Sequence, residues 1–378
     1  MTTTVGTNKP LRIACLSDIH LGHKNTPTEY ILTNLRKSLT QNILIRELDI
    51  IILAGDIFDT LLYLPDFHIG EIQIWIAEFL HQCVKYDICL RIVEGTPSHD
   101  RKQAKQFIIL NRLLNINADV IYHDSLTIEY LAKHDLHILY VPDEWRSNTM
   151  QTQLEVTELL YKHQLTQVDY AVMHGMFEHQ SMGNIPMPIH NSEYYLSIVK
   201  KYIFIGHIHL MSTYQRILVQ GSFDRLAHGE EEPKGFWLVI ANRNTDVNDK
   251  VTFIINHQAM PYLSYDITGL SETAIHRKLA SLKTLVAPAF IRIIMAKHDP
   301  NKALLLSYKE NYTQFKWTFK ITDTNIPHIT QVIPTLYTTT PINQNTILSF
   351  IEAKLTQDNI SNELKNHTLT ILSSLTGE

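Results

Sequence analysis

Short apolar runs rich in Ile, Leu and Val alternate with longer amphipathic segments through the first third of the chain. In the first amphipathic segment, Ile31, Leu35 and Leu39 recur at the spacing of one helix face. The runs are too short for helices and end at glycine or polar residues, so they predict buried strands. The pattern predicts strands over residues 11–17, 49–54 and 88–93 and helices over residues 28–47, 71–86 and 102–114. This β-α-β-α-β alternation is typical of a sheet covered by helices.

The pattern changes in the middle of the chain. Residues 120–141 predict antiparallel strands, and residues 150–163 predict a helix. Further strands are predicted over residues 169–173, 202–205, 216–220, 236–241 and 251–255. Two α/β-like halves with polar residues at their strand ends predict an α/β fold, in which two sheets form a sandwich flanked by helices.

The C-terminal third has a different organisation. A helix over residues 271–282 and strands over residues 289–295 and 315–321 suffice for a small α+β domain. Residues 325–345 are rich in Thr, Pro, Asn and Gln and predict a linker. Two short amphipathic helices after it are too small to form a core alone, so we expect them to dock on a partner. The predicted boundaries are 1–260, 261–324, 325–345 and 346–378.

Composition narrows the class of protein. The 378 residues carry a formal net charge of -5, so a general polycation is excluded, and a nucleic acid would need a local basic surface or metals. Three scattered cysteines do not form a disulfide or zinc pattern and favour a reducing compartment. The first ten residues lack an apolar signal segment, and no apolar run is long enough for a bilayer. We therefore expect a cytoplasmic protein without membrane association.

Five polar clusters follow the predicted strands, and each lies where the sheet can build a site. Carboxylates and imidazoles that converge at strand ends are suitable ligands for a pair of divalent metals. The five clusters are residues 18–20 (DIH), 55–59 (GDIFD), 95–100 (GTPSHD), 174–175 (HG) and 206–209 (GHIH).

The clusters differ in specificity when each is taken alone. Asp18 and His20 could offer an oxygen and a nitrogen to one metal, although such pairs are frequent. Asp56 follows a glycine that permits a sharp turn, and its carboxylate could bridge two cations. Asp59 is predicted to orient a ligand, with a helix cap as the alternative.

Histidines carry the other clusters. Gly206 could start a turn that lets His207 and His209 reach one dinuclear centre, and this motif is the most specific of the five. His174 has the same setting, with a buried core histidine as the alternative. His99 could donate a proton to a leaving oxygen or contact a phosphate oxygen. The basic residues after it either meet a phosphate backbone or form a solvated helix start.

These motifs resemble those of the calcineurin-like metallophosphoesterases, whose pattern is D-x-H, G-D-x-x-D, G-N-H-D/E, a strand-end histidine and G-H-x-H. Within that superfamily the chain resembles the SbcD-type nuclease subunits of DNA double-strand-break repair complexes, including phage recombination nucleases. Residues 220–225 (QGSFDR) and 229–236 (GEEEPKGF) are similar to the stretch that leads out of the nuclease sheet there. The resemblance implies a four-layer metallophosphoesterase β-sandwich, then a DNA-recognition cap domain, a linker and an ATPase-binding helical segment.

The resemblance also implies two metal ligand sets that share Asp56, with His99 as the catalytic histidine. The first set is Asp18, His20, Asp56 and His209. The second set is Asp56, His174 and His207, with Ser98 at the position of the family's Asn ligand. Because Ser98 lies in a loop two residues longer than the family's, Thr96 or a water is the alternative at that position.

The implied function is a manganese-dependent DNA exonuclease and endonuclease subunit, with magnesium as the alternative metal. Its expected partners are double-stranded and single-stranded DNA, a second copy of the chain, and an SbcC-type coiled-coil ATPase bound by the C-terminal helices. The expected location is the cytoplasm of a bacterial or phage-infected cell. Two other functions are open: a metallophosphoesterase for small substrates, and a non-enzymatic scaffold of a DNA complex with a degenerate metal site.

Overall fold

The computed structural model describes residues 9–63, 68–143, 149–180, 188–242 and 249–322. The helices in these ranges are α1 (Thr28–Leu35), α2 (His68–Tyr86), α3 (Lys105–Leu113), α4 (Thr149–Lys162), α5 (Ser192–Ile198), α6 (Glu272–Lys278) and α7 (Lys302–Asn311). The strands are β1 (Leu11–Leu16), β2 (Ile50–Ala54), β3 (Cys89–Val93), β4 (Val120–His123), β5 (Thr127–Leu131), β6 (Leu136–Val141), β7 (Tyr170–His174), β8 (Met176–Phe177), β9 (Ile189–His190), β10 (Ile203–Gly206), β11 (Ser212–Tyr214), β12 (Ile217–Val219), β13 (Gly235–Ala241), β14 (Lys250–Ile255), β15 (Tyr262–Asp266), β16 (Phe290–Ala296) and β17 (Lys316–Thr322).

Two six-stranded mixed sheets dominate the fold. Their strand orders are β14-β13-β1-β2-β3-β4 and β11-β12-β10-β7-β6-β5. In the first sheet, the neighbouring strands β1, β2, β3 and β4 run parallel. In the second sheet, β6, β7, β10 and β12 run parallel. The predicted α/β class is confirmed.

Three apolar cores stack the sandwich into four layers. In β1, Ile13 and Cys15 face a core between the two sheets, while Ala14 and Leu16 face a core beneath α1, α2 and α3. A third core packs the outer face of the second sheet against α4 and α5. Because both faces of the central parallel strands are covered, β2 is apolar and buried at every position rather than at alternate ones.

A three-stranded parallel sheet of β15, β16 and β17 follows the sandwich. It has its own core, to which α6 and α7 contribute. Tyr262 at the start of β15 stacks on Phe290 with ring centroids 4.4 Å apart, and its hydroxyl lies 3.0 Å from the Thr26 hydroxyl of the sandwich. The strand β15 and the helix α7 were not predicted.

Three predicted elements differ from the structure. The segment predicted as one helix over residues 28–47 forms an α-helix only as far as Leu35. A π-helical turn and then a 3₁₀ turn follow, and the Asn42 side chain caps the 3₁₀ turn. The helix predicted from residue 102 begins at Lys105, because Lys102 has a φ of 60° that interrupts helical geometry. The antiparallel prediction for residues 120–141 holds for β5 and β6 and is wrong for β4, which runs parallel to β3.

The predicted linker and the two predicted C-terminal helices lie outside the described residues, which end at residue 322. Among the helices that the structure does describe, none combines the length and apolar character needed to cross a membrane.

Candidate metal centre

The carboxyl ends of strands from both sheets meet at one edge of the sandwich. The loop after β1 pairs with the loop after β2, since Ile19 N donates to Asp56 O at 2.8 Å. The second sheet is joined in the same way, since Gly175 N donates to Gly206 O at 3.2 Å. Parallel strands end together, so four loops bring their polar side chains to one place. These side chains are Asp18, His20, Asp56, His174, His207 and His209.

The backbone of these loops is strained. Asp18, His20 and Asp56 have φ values of 50°, 54° and 49°, a left-handed region that non-glycine residues rarely adopt. Gly55 has a φ of 84°, and a side chain there would overlap the His174 ring. A side chain on Gly95 would overlap Asp56. The two glycines are therefore required by close packing around the polar groups.

Asp18, His20 and His209 form the first triad, with one ligand atom from each within 4.8 Å of the others. Each imidazole is held from behind by a carboxylate. His20 Nδ1 lies 3.0 Å from Asp59 Oδ1, and His209 Nδ1 lies 2.9 Å from Glu230 Oε1. Ionised carboxylates only accept hydrogen bonds, so both Nδ1 atoms are the donors, and in the neutral rings both Nε2 atoms carry lone pairs.

The geometry of the first triad fits a cation. The Nε2 atoms of His20 and His209 face each other at 3.2 Å, although both are acceptors in the neutral rings. The Asp18 Oδ1 atom lies 3.9 Å from His209 Nε2 and adds negative charge. A divalent cation bound by these atoms would remove their repulsion. Mixed carboxylate and imidazole donors accept manganese, magnesium, zinc or iron.

Asp56, His174 and His207 form the second triad, again within 4.8 Å of one another. His174 Nδ1 donates to the main-chain carbonyl of Ala54 at 2.8 Å, so its Nε2 faces Asp56 Oδ1 at 3.4 Å. His207 presents its Nδ1 atom to the same space, 3.3 Å from the Thr96 hydroxyl. No carboxylate stands behind these imidazoles among the described contacts, in contrast to the first triad.

Asp56 connects the two triads. Its Oδ2 atom lies 3.8 Å from His20 Nε2 of the first triad. Burial opposes ionisation of Asp56, but the charge of His174 lowers the pKa of this carboxyl below its usual range. Burial likewise opposes a charged His174, yet the charge of Asp56 raises the pKa of His174. At His207, burial lowers the pKa to about 4. The centre therefore attracts positive charge, which a cation would supply in place of the proton.

His99 lies at the rim of the first triad and is half-buried. Its Nδ1 atom donates to the Asp59 carbonyl at 2.7 Å, and its ring meets the His20 ring edge-on at 5.0 Å. Nε2 is then the atom left to exchange a proton with a bound molecule. His20, Asp59 and His99 also form a third group of ligand atoms within 4.8 Å.

Ser98 and Thr96 occupy different places in the same loop. Ser98 is exposed, and its carbonyl accepts from the Arg101 side chain. The Thr96 hydroxyl instead lies 3.1 Å from Asp56 Oδ2, and its main-chain N–H donates to Asp56 Oδ1 at 2.6 Å. Of the two alternatives left open by the sequence, Thr96 is the one that the fold places beside the second triad. The ligand roles themselves stay predictions.

Two residues of the site were given no role from the sequence, although they lie in segments 95–100 and 229–236, which it singled out. Asp100 is fully buried and accepts from Phe58 N at 2.9 Å and Gly95 N at 2.8 Å, so it joins two of the loops. Burial and the nearby Asp56 charge raise the pKa of Asp100 to about 8. Its position directly after His99 was a usable signal. Glu230 had no comparable signal, since it lies among three consecutive glutamates of which only this one contacts His209.

No family model and no curated protein matches the chain. Among solved structures, one matching chain is 11% identical and has a TM-score of 0.36, over 65% of this chain and 99% of that chain. A likeness at this level carries no argument about fold or function, so the proposals below are based on the residues and their geometry.

Proposed function

We propose that this protein is a manganese-dependent phosphodiesterase that cleaves DNA, with magnesium as the alternative metal. The observation that carries the proposal is a pair of Asp/His triads linked by one carboxylate, Asp56, where the parallel strands of two mixed sheets end. When bound, two divalent cations would activate water and neutralise the charge on a phosphodiester. The sequence resemblance assigns the same residues to two metals and therefore supports the same reaction.

The chain's own groups have distinct roles in this reaction. Asp56 holds the two triads at a fixed separation, and its hydrogen bonds from Thr96 prevent it from turning away. His99 is oriented by the Asp59 carbonyl and would give a proton to the leaving oxygen from Nε2. A cleft of about 790 Å³ opens along the loop that carries His99, although none of the residues that line it belongs to either triad.

The first test is degradation of an end-labelled linear duplex with manganese, comparing wild type with His207→Ala. We expect metal-dependent cleavage that the variant loses, because His207 belongs to the second triad. A parallel assay with a generic aryl phosphodiester distinguishes a nuclease from an enzyme for small phosphoesters. Absence of cleavage of either substrate by a folded, manganese-loaded wild type would favour the scaffold function instead.

His99→Gln separates chemistry from metal binding. Because His99 belongs to neither of the two triads and contacts the first through the His20 ring, we expect two bound manganese ions and a kcat lowered by about 10²–10⁴-fold. Isothermal titration and single-turnover cleavage measure the two quantities. A variant that cleaves at the wild-type rate would remove His99 from the mechanism.

We further propose that the protein is the nuclease subunit of an SbcCD-like repair or recombination complex, acting as a homodimer. Helix α3, which follows the His99 loop, exposes Ile109 and Leu113 by 43% and 70%, and Leu114 directly after it is 50% exposed; these residues offer an apolar strip to a second copy. Sedimentation of Leu113→Asp should show the monomer if this strip is the interface.

Deletion of residues 340–378 should abolish ATPase binding and preserve manganese binding; co-purification of the truncated chain with the ATPase would contradict the tail assignment.

A further inference from the structure

The loop between Arg225 and Lys234 is fixed against the sandwich by its own side chains. The Arg225 guanidinium donates to the carbonyls of Ala259 and Glu232, each at 3.2 Å. Lys234 is 1% exposed, and its ammonium group donates to the carbonyl of His209 at 2.9 Å. The loop therefore holds a defined position beside the first triad rather than a variable one.

Consecutive glutamates of this loop face different ways. Glu231 Oε1 accepts from Ser264 N of β15 at 3.2 Å, and Glu232 Oε1 pairs with Lys234 at 2.5 Å. Glu230 alone of the three contacts an imidazole of the first triad, that of His209. Three identical residues in sequence thus have different sets of contacts, and among them only Glu230 contacts a histidine of the triads in the described structure.

The two oxygens of Glu230 are used for different purposes. Oε2 accepts from Leu226 N at 3.1 Å, from Lys234 Nζ at 3.2 Å and from Ser222 Oγ at 3.3 Å. Oε1 accepts from His209 Nδ1 at 2.9 Å. With Oε2 fixed by three donors, the carboxylate cannot rotate, so Oε1 holds the imidazole in one orientation and one tautomer.

His209 needs this support more than His20 and His174 do. Its side chain is 31% exposed, whereas those of His20 and His174 are 3% and 0% exposed. Close packing on all sides supplements the hydrogen bonds of the two buried rings, but His209 extends from a loop after β10 and is only partly packed. Without Glu230, the ring could rotate and turn Nε2 away from Asp18 and His20.

We propose that Glu230 is a positioning residue that fixes His209 and thereby sets the divalent-cation affinity of the first triad, with little effect on the second triad. The proposal depends on the two-metal centre proposed above. It differs from a purely structural role, in which Glu230 serves only to neutralise Lys234 and fasten the loop. That role would be shared by Glu232, which contacts Lys234 and is not in contact with His209 in the described structure.

The experiment is a manganese titration of the full chain by calorimetry and electron paramagnetic resonance, with Glu230→Ala, Glu230→Gln and the control Glu232→Gln. We expect two binding steps in wild type, with one step about 10–100-fold weaker in Glu230→Ala. Glu230→Gln should weaken the same step, because its single amide oxygen cannot accept both from His209 Nδ1 and from the three donors at Oε2. Glu232→Gln should bind as wild type does, and melting temperatures in chelator report any loss of folding.

The outcomes separate the two proposals. If wild type binds no manganese, the two-metal centre itself is wrong. If wild type binds two ions and Glu230→Ala binds both unchanged, the centre stands and the positioning role is wrong. Equal weakening of both steps, or the same weakening in Glu232→Gln, would show a structural role for the loop and would also overturn the proposal.

Discussion

The two triads have the same composition, one aspartate and two histidines, but differ in what stands behind the imidazoles. In the first triad, Asp59 and Glu230 hold His20 and His209. In the second, a main-chain carbonyl holds His174, and a threonine hydroxyl lies beside His207. The first triad therefore has two additional negative charges, each hydrogen-bonded to one of its histidines.

This difference predicts unequal sites. Carboxylates behind an imidazole increase its basicity and fix its tautomer, whereas a carbonyl fixes the tautomer without adding charge. We expect the first triad to bind its cation more tightly and the second to depend more on Asp56, its only carboxylate. Identical ligand types can thus give different affinities through their second partners.

Asp56→Asn should have the largest effect, because it removes the charge that both triads share. We expect loss of both manganese-binding steps, beyond the about 10–100-fold typical for a partner of a ligand. Calorimetric stoichiometry measures this. Asp49→Asn is the matched control, since Asp49 precedes the same strand at its opposite end and accepts from Arg12 N at 2.8 Å. One unchanged binding step in Asp56→Asn would show that Asp56 does not bridge.

Thr96→Val and Ser98→Ala form a smaller and sharper test. Thr96 contacts Asp56 and lies near His207, so its loss should weaken only the weaker manganese step, by about tenfold. Ser98 is exposed, and its loss should leave both steps unchanged. The opposite result in a manganese titration would return the ligand role to Ser98 and would require the loop to rearrange on binding.

Glu129→Gln should affect stability and leave the ratio of the two manganese affinities unchanged. Arg91 of the first sheet donates through Nε to both oxygens of Glu129 in the second at 2.9 Å, and neither residue belongs to a triad. At neutral pH we expect a loss of at most about 3 kcal/mol in the free energy of unfolding, because the amide still accepts one bond.

The pH dependence of that loss has a defined sign. Burial opposes ionisation, but His123 at 3.6 Å and the hydrogen bonds from Arg91 lower the pKa of Glu129 from 4.5 to about 2. The stabilisation is therefore complete above about pH 4.5 and disappears as the pH falls towards 2. Urea unfolding of both proteins across this range measures it. A difference that grows on acidification would contradict the ion pair.

The local sequence pattern was sufficient to predict strands and the side chains that directly follow them, because these depend on residues close together in the sequence. The strands β1, β2, β3, β7 and β10 and the polar residues after them follow from apolar runs that end at glycine or at an acid. The pattern failed where a residue with a positive φ interrupted a predicted helix, as at Lys102. It also failed where the choice of partner strand was not local, as for β4. The pairing of β4 depends on which edge of the first sheet is open, and no residue in β4 encodes that.

The sequence by itself determined which side chains would stand at strand ends, because the turn that follows each strand is a local property. Tertiary structure decided which of them meet. His20 and His209 face each other across 189 residues, and His209 takes Glu230 rather than its two neighbouring glutamates as its partner. The physical reason is that such contacts depend on how two sheets pack and on where a fixed loop turns each side chain, and these are set by the cores rather than by the motif.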